Sequence, residues 1–235
     1  MILERLLSSD FRRRRLLARA PAGPLRDYLA TPFPDPKAAS AAVGYLALDL
    51  ETTGGDPARD EIVSFGWVCV NDGLVELATA RHVVVRVEGA ITPGSAVIHG
   101  ITDDEAGRGC SLQAALDELL KALAGRVLIA HRAETELDFV GHACQKIYGG
   151  RILIPAVDTL AIAVAQAQRR QQHPQRGALR LHALRQHYKL PRYPAHNALS
   201  DALAAAELFL AQQAEGGPGS PLKTWLTASP SRFAA

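Results

Sequence analysis

The chain reads as a mixed α/β layered domain, and three observations lead there. Tyr45 to Leu50 is an apolar run broken only at Asp49, as in a buried strand. Asn71-Asp72-Gly73 is a tight-turn signal between two apolar stretches, Glu61 to Val70 and Leu74 to Val87. From Leu112 onward, apolar residues at helical spacing alternate with short apolar runs.

Taken in order, Tyr45 to Glu51 predicts a strand that Thr52-Thr53-Gly54-Gly55 ends. Glu61 to Val70 predicts a second, and Leu74 to Val87 supplies one or two strands pairing back, so three antiparallel strands open the domain. Leu112 to Leu123 has the apolar spacing of a helix, and Arg126 to Ala130 is a short buried strand. Ala133 to Tyr148, Thr159 to Arg170, Leu179 to Tyr188 and Ala198 to Gln213 predict four more helices. Arg169 to Gly177 is a polar, basic loop.

Flanking segments differ in composition. Residues 1–40 hold 8 Lys+Arg against 4 Asp+Glu, a net +4, within a chain of net charge +2. Pro32, Pro34 and Pro36 alternate there as in an extended linker. We therefore expect a basic appendage and linker over 1–40, a domain over 41–214, and a flexible Gly/Pro/Ser-rich tail over 215–235. The Arg12 to Arg15 run is open to three readings: a solvated helix, a nucleic-acid or partner contact, or a targeting segment.

At 235 residues, 48% hydrophobic and 21% charged, the composition is that of an ordinary globular domain. A net charge of +2 excludes a basic nucleic-acid coat. No apolar run approaches the roughly 18 residues that cross a membrane, so no membrane partner is expected. Cys69, Cys110 and Cys144 are far apart and form no metal or redox pair, which fits reduced thiols in the cytoplasm.

The residues that carry chemistry are acids. A strand has a side-chain period of two, so Asp49 and Glu51 share a face. Two like charges so close repel, more so beside apolar neighbours, and a divalent cation between them would relieve this. Hard carboxylate oxygens suit Mg²⁺ or Mn²⁺. Two solvated acids at an exposed strand end remain the alternative from this segment alone. Glu136 lies on the helical face of Val140, Ala143 and Ile147, so it points inward, while Glu134 and Asp138 fall off that face as solvated acids. Asp201 shares a face with Ala205, Leu208 and Gln212, and His196 precedes that helix on a loop.

In sequence order these segments resemble the three motifs of the DEDDh 3′–5′ exonucleases. The matching residues are Asp49-Leu50-Glu51-Thr52-Thr53-Gly54, then Ala130-His131-Arg132-Ala133 with Glu136, then His196 with Asp201. That family includes the proofreading epsilon subunit of bacterial DNA polymerase III, RNase T and oligoribonuclease. His99-Gly100-Ile101-Thr102 and Val157-Asp158-Thr159-Leu160 resemble further family segments, and the match spans about Tyr45 to Leu210. The resemblance implies an RNase H-like mixed sheet, three antiparallel strands then parallel ones, flanked by helices. One position departs: Glu136 stands where the family has Asp, and its carboxylate reaches about 1 Å further.

The resemblance further implies two divalent metal ions, Mg²⁺ or Mn²⁺. Asp49 would bridge both; Glu51 and Asp201 would complete the first site; Glu136 would serve the second, near the leaving 3′ oxygen; His196 would be the general base. Thr52 and Thr53 would lie near the terminal nucleotide, and His131 on the phosphate side of the second motif. His99 would line the nucleotide pocket or pin its loop. Asp158 reads as a helix cap.

The implied partners are 3′ ends of single-stranded DNA or RNA, with DNA favoured, and a DNA polymerase or replication complex. Candidate phosphate contacts are Arg169, Arg170, Arg176, Arg180, Arg185, Lys189, Arg192 and the Arg12 to Arg15 run. The competing reading is a degenerate nucleic-acid-binding module, and Glu136 is the feature that favours it.

Overall fold

The computed structural model describes residues 9–87, 107–194, 196–217 and 219–227. Its sheet is centred on β1 (Tyr45–Thr52), with β2 (Ile62–Asn71) antiparallel to it and β3 (Leu74–Val84) antiparallel to β2 at the edge. On the other side β4 (Val127–Ala130) and β5 (Ala156–Asp158) run parallel, giving the order β3-β2-β1-β4-β5. Asp72 and Gly73 both take positive φ, 50° and 72°, as the turn joining β2 to β3 requires. This is the mixed, antiparallel-then-parallel sheet expected from the sequence.

Alternation along β1 sorts its side chains into two layers. Leu46, Leu48 and Leu50 join one core cluster, and Tyr45 and Ala47 join the other. The first face is covered by α2 (Pro24–Ala30), α3 (Leu112–Leu123) and α4 (Glu134–Tyr148). The second is covered by α7 (Ala198–Gly216), through Ala205, Ala206 and Phe209. Two further helices, α5 (Thr159–Arg169) and α6 (Leu181–His187), join the Thr159 end of the sheet to α7, and Ala163, Leu184 and Leu208 pack where they meet. Capping fits the sequence: Ser111 accepts from the Ala114 N–H at the start of α3, and Gly149, at φ 67°, ends α4.

The flanking segments are packed more closely than a linker and a loose tail would be. The first helix, α1 (Ser9–Leu17), lies against α2, whose Leu25, Tyr28 and Leu29 are buried in the main core. Pro24 at the first position of α2 and the Leu25, Tyr28, Leu29 spacing account for this helix. The Tyr28 hydroxyl donates to the Leu153 carbonyl at 3.0 Å. Arg13 is buried, not presented to a phosphate. Its guanidinium donates to the Leu29 and Ala30 carbonyls at the end of α2 and pairs with Asp10 at 2.7 Å. Beyond α7, Leu222 and Trp225 complete the second core cluster. The Pro-rich segment runs beside this stretch: Lys223 N–H donates to Pro36 O, Leu222 N–H to Ala38 O, and Ser40 N–H to Ser220 O.

Truncating a helix outside the expected domain tests this packing. Leu29 is 0% exposed, so Leu29→Ala should cost about 2–5 kcal/mol in urea unfolding. Leu74→Ala, at a residue 69% exposed, should stay within about 0.5 kcal/mol of the parent.

Candidate metal-binding site

Asp49 and Glu51 continue the face of β1 on which Tyr45 and Ala47 meet α7. The β1–β2 pairing shifts by one residue just beyond, between Glu51 and Thr52, so the strand bends as it leaves the acids behind. Asp201 comes from the first turn of α7, and Asn197 caps that turn by accepting from the Ser200 N–H at 3.1 Å. One carboxylate oxygen from each of Asp49, Glu51 and Asp201 lies within 4.8 Å of the other two.

Gly66 makes this approach possible. It pairs with Asp49 across the β1–β2 ladder, and a Cβ there would overlap the backbone of Ala198 and Leu199. The start of α7 therefore rests directly on β2. Sequence reading passed over this glycine, although an isolated glycine inside an apolar strand is the usual signature of a close backbone approach.

Glu136 enters from α4. It is buried, as are Val140 and Ala143 on the same face. Its Oε2 is buried without a hydrogen-bond partner. It stands outside the tight group of three, yet its charge is the strongest after burial in raising the Asp49 pKa. Asp138, expected to be solvated, is buried instead, because the first half of α4 is enclosed on more than one face from Glu136 to Val140.

Electrostatics marks the group as buried and crowded with negative charge. Burial, and then the charges of Glu136, Asp201 and Glu51, hold Asp49 well above the usual carboxylate range. Burial and the Asp201 charge push Glu51 to about 7. Burial also raises Asp201, against the pull of the His196 backbone N–H, which donates to it at 3.0 Å. Burial raises Glu136, and the Asp158 charge adds to it.

The remaining expected residues fall around this group. His196 is exposed, at φ 67° just before α7. Thr52 donates to the Gly54 carbonyl, and Thr53 accepts from the Glu61 N–H, so both hydroxyls shape the turn after β1. The His131 ring is pinned: Nδ1 lies 2.8 Å from Thr159 Oγ1, and burial lowers its pKa toward the neutral ring. Asp158 caps α5 through the Leu160 and Ala161 N–H groups, and also accepts from the Arg132 and Ala133 N–H groups ahead of α4. His99 lies outside the described residues. Among the candidate phosphate contacts, Arg185 is buried, donating to Ala204 O and pairing with Glu207 at 2.7 Å, and Arg170 pairs with Glu215. Arg169, Arg176, Arg180, Lys189 and Arg192 are exposed.

A family of exonucleases, the RNase T type, matches residues 46–209 with this acid group inside the match. The chain belongs to this exonuclease family. Among relatives, a PolC-type DNA polymerase III of Thermotoga petrophila is 30% identical over 166 residues, which is 71% of this chain and 12% of that protein. The epsilon subunit of DNA polymerase III of Aquifex aeolicus is 23% identical over 71% of this chain and 78% of its own length. Among solved structures, cell-death related nuclease 4 superposes with a TM-score of 0.65 at 15% identity, over 77% of this chain and 66% of its own. Exonuclease I gives 0.62 at 16% identity, over 73% and 41%. Both share the RNase H-like exonuclease fold.

The raised carboxylates fix the sign of a pH dependence. Glu51 rises from 4.5 to about 7 on folding, so the folded state binds the extra proton. Its contribution to stability is complete below the unfolded value and is lost as pH rises through the folded one. The chelator-treated protein should therefore lose thermal stability between about pH 4.5 and pH 7. Mn²⁺, which competes with those protons, should raise the melting temperature more at about pH 8 than at about pH 5. Gly66→Ala should cost about 1–3 kcal/mol and blunt the Mn²⁺ stabilisation, since α7 must lift Asp201 away from β1.

Proposed function

We propose that this chain is a metal-dependent 3′–5′ exonuclease. It hydrolyses phosphodiester bonds at the 3′ end of single-stranded nucleic acid, DNA in preference to RNA, and releases 5′-mononucleotides. The observation that carries the reading is the clustering of one carboxylate oxygen each from Asp49, Glu51 and Asp201 within 4.8 Å, beside which α4 buries a Glu136 oxygen with no hydrogen-bond partner. An all-oxygen set of crowded acids, with Asp49, Glu51 and Asp201 all raised above the ordinary carboxylate range, fits hard divalent cations of the Mg²⁺ or Mn²⁺ class.

Asp49, Glu51 and Asp201 would hold one ion and Glu136 a second, with Asp49 shared. Such ions supply charge neutralisation at the phosphate, a more acidic water and support for the leaving oxygen. The chain's own share is positioning and proton transfer. Exposed just ahead of α7, His196 would accept the proton of the attacking water, and its backbone N–H to Asp201 keeps it beside the acids. Water attacks the phosphorus, the bond to the 3′ oxygen breaks, and the shortened strand leaves with a new 3′ hydroxyl. Thr52 and Thr53 shape the turn on which the terminal nucleotide would rest. The orphaned Glu136 oxygen supports an active site over a degenerate one, because a retired site gains nothing from a buried acid without a donor.

The polymerase relatives support DNA as substrate and work beside a replicating polymerase. Three free cysteines and the lack of a membrane-crossing helix among the described residues accord with a cytoplasmic setting. The test is a 5′-labelled single-stranded oligonucleotide, as DNA and as RNA, with Mg²⁺ or Mn²⁺. A ladder shortening from the 3′ end is expected for the parent, at least about 100-fold slower in Asp49→Ala, as suits loss of a shared metal ligand. Intact substrate under every metal, with binding retained, would favour the non-enzymatic module.

A further inference from the structure

Arg132 stands at the junction between β4 and α4 with φ 75°, a left-handed conformation that is strained for a residue with a long side chain. The junction is forced into this shape from outside. The Asp158 carboxylate takes the Arg132 N–H at 3.0 Å and the Ala133 N–H at 3.1 Å, one oxygen each. Glycine or asparagine would adopt the conformation at less cost. Nothing in the fold repays the arginine side chain: it is exposed, and among the described residues its guanidinium makes no hydrogen bond or ion pair. Asp56, Glu134 and Asp138 line the same hollow.

The position of this free cation is informative. It lines two adjoining hollows, one walled by Gly55 and Pro57 and the other by Leu160 and Val164. It stands four residues ahead of Glu136, immediately before the first turn of α4 that carries that carboxylate. The motif resemblance implies that Glu136 lies at the leaving-oxygen end of the site, and with that implication the function proposed above is what this inference rests on. The leaving oxygen belongs to the strand that remains after cleavage, so the next anion beyond Glu136 is that strand's following phosphate.

We propose that Arg132 grips the backbone phosphate adjoining the scissile one, on the side of the strand that remains. A guanidinium suits this task, since its fork of N–H donors matches phosphate oxygens. The backbone strain then holds the cation over the strand's path. Arg132 would govern substrate affinity and retention of the shortened strand more than the chemical step.

The experiment uses the full chain with Mn²⁺ and a single-stranded DNA octamer, natural or with a neutral methylphosphonate at the linkage adjoining the scissile one. Arg132→Asn should raise KM about tenfold, as for the loss of a charge-assisted hydrogen bond, with kcat changed less than about twofold. Arg132→Lys should keep most of the affinity. The neutral linkage should cost the parent about as much and cost Arg132→Asn nothing further. Arg132→Asn should also melt about 2 °C higher, because the strain is relieved. Equal losses from the neutral linkage in both proteins would overturn the assignment. So would a fall in kcat at unchanged KM, or a lower melting temperature with unaltered KM, which would make Arg132 a structural counter-charge. A parent protein that neither cuts nor binds the natural octamer would overturn the exonuclease reading itself, and this inference with it.

Discussion

Everything at the acid group depends on how closely α7 can lie on the sheet. Small side chains at Ala205 and Ala206, both essentially unexposed, bring the helix down onto β1 and β2, and Gly66 removes the last obstacle under its first turn. The hydrophobic contact is what forces Asp201 against Asp49 and Glu51, which would otherwise repel one another. Apolar burial over the length of a helix thus sustains a local electrostatic penalty at one end of it. The aromatic contacts further along, Tyr45 with Phe209 and Phe209 with Trp225, anchor the far end of the same lever.

A second set of interactions ties the separate walls of the site together. One Asp158 carboxylate serves the beginnings of both α4 and α5. Beside it the Thr159 hydroxyl meets His131 and donates to Ala130 O, while the Thr159 carbonyl accepts from Gln212 of α7. The elements carrying Glu136 and Asp201 are therefore joined through polar groups as well as through the core. This accounts for the role of His131, whose ring is occupied within the scaffold.

What the sequence made legible follows from periodicity. The two-residue repeat of β1 placed Asp49 and Glu51 together, and the helical repeat placed Glu136 and Asp201 inward, because in each case the apolar neighbours on that face are themselves buried. Pairings across long sequence distances were not legible. Arg13 and Arg185 look like any surface arginine in sequence, and only the approach of carbonyls from α2, and from Pro191 and α7, removes them from solvent. Asp138 lay off the apolar stripe but not off the buried surface, which is wider than one stripe there. Alternating prolines gave the look of a free linker, although prolines keep their carbonyls, and Pro36 uses its own to accept from Lys223.

That last contact has a consequence for architecture. The segment entering the domain at residues 36–40 and the segment following α7 at residues 220–223 run side by side, joined by three backbone hydrogen bonds. Upstream of this clasp α1 and α2 pack into the main core, and downstream of it Leu226 and Thr227 reach β5, so it ties together two stretches that each continue over the body. Each flank thus satisfies backbone groups of the other, so the two come loose as one cooperative unit instead of fraying separately.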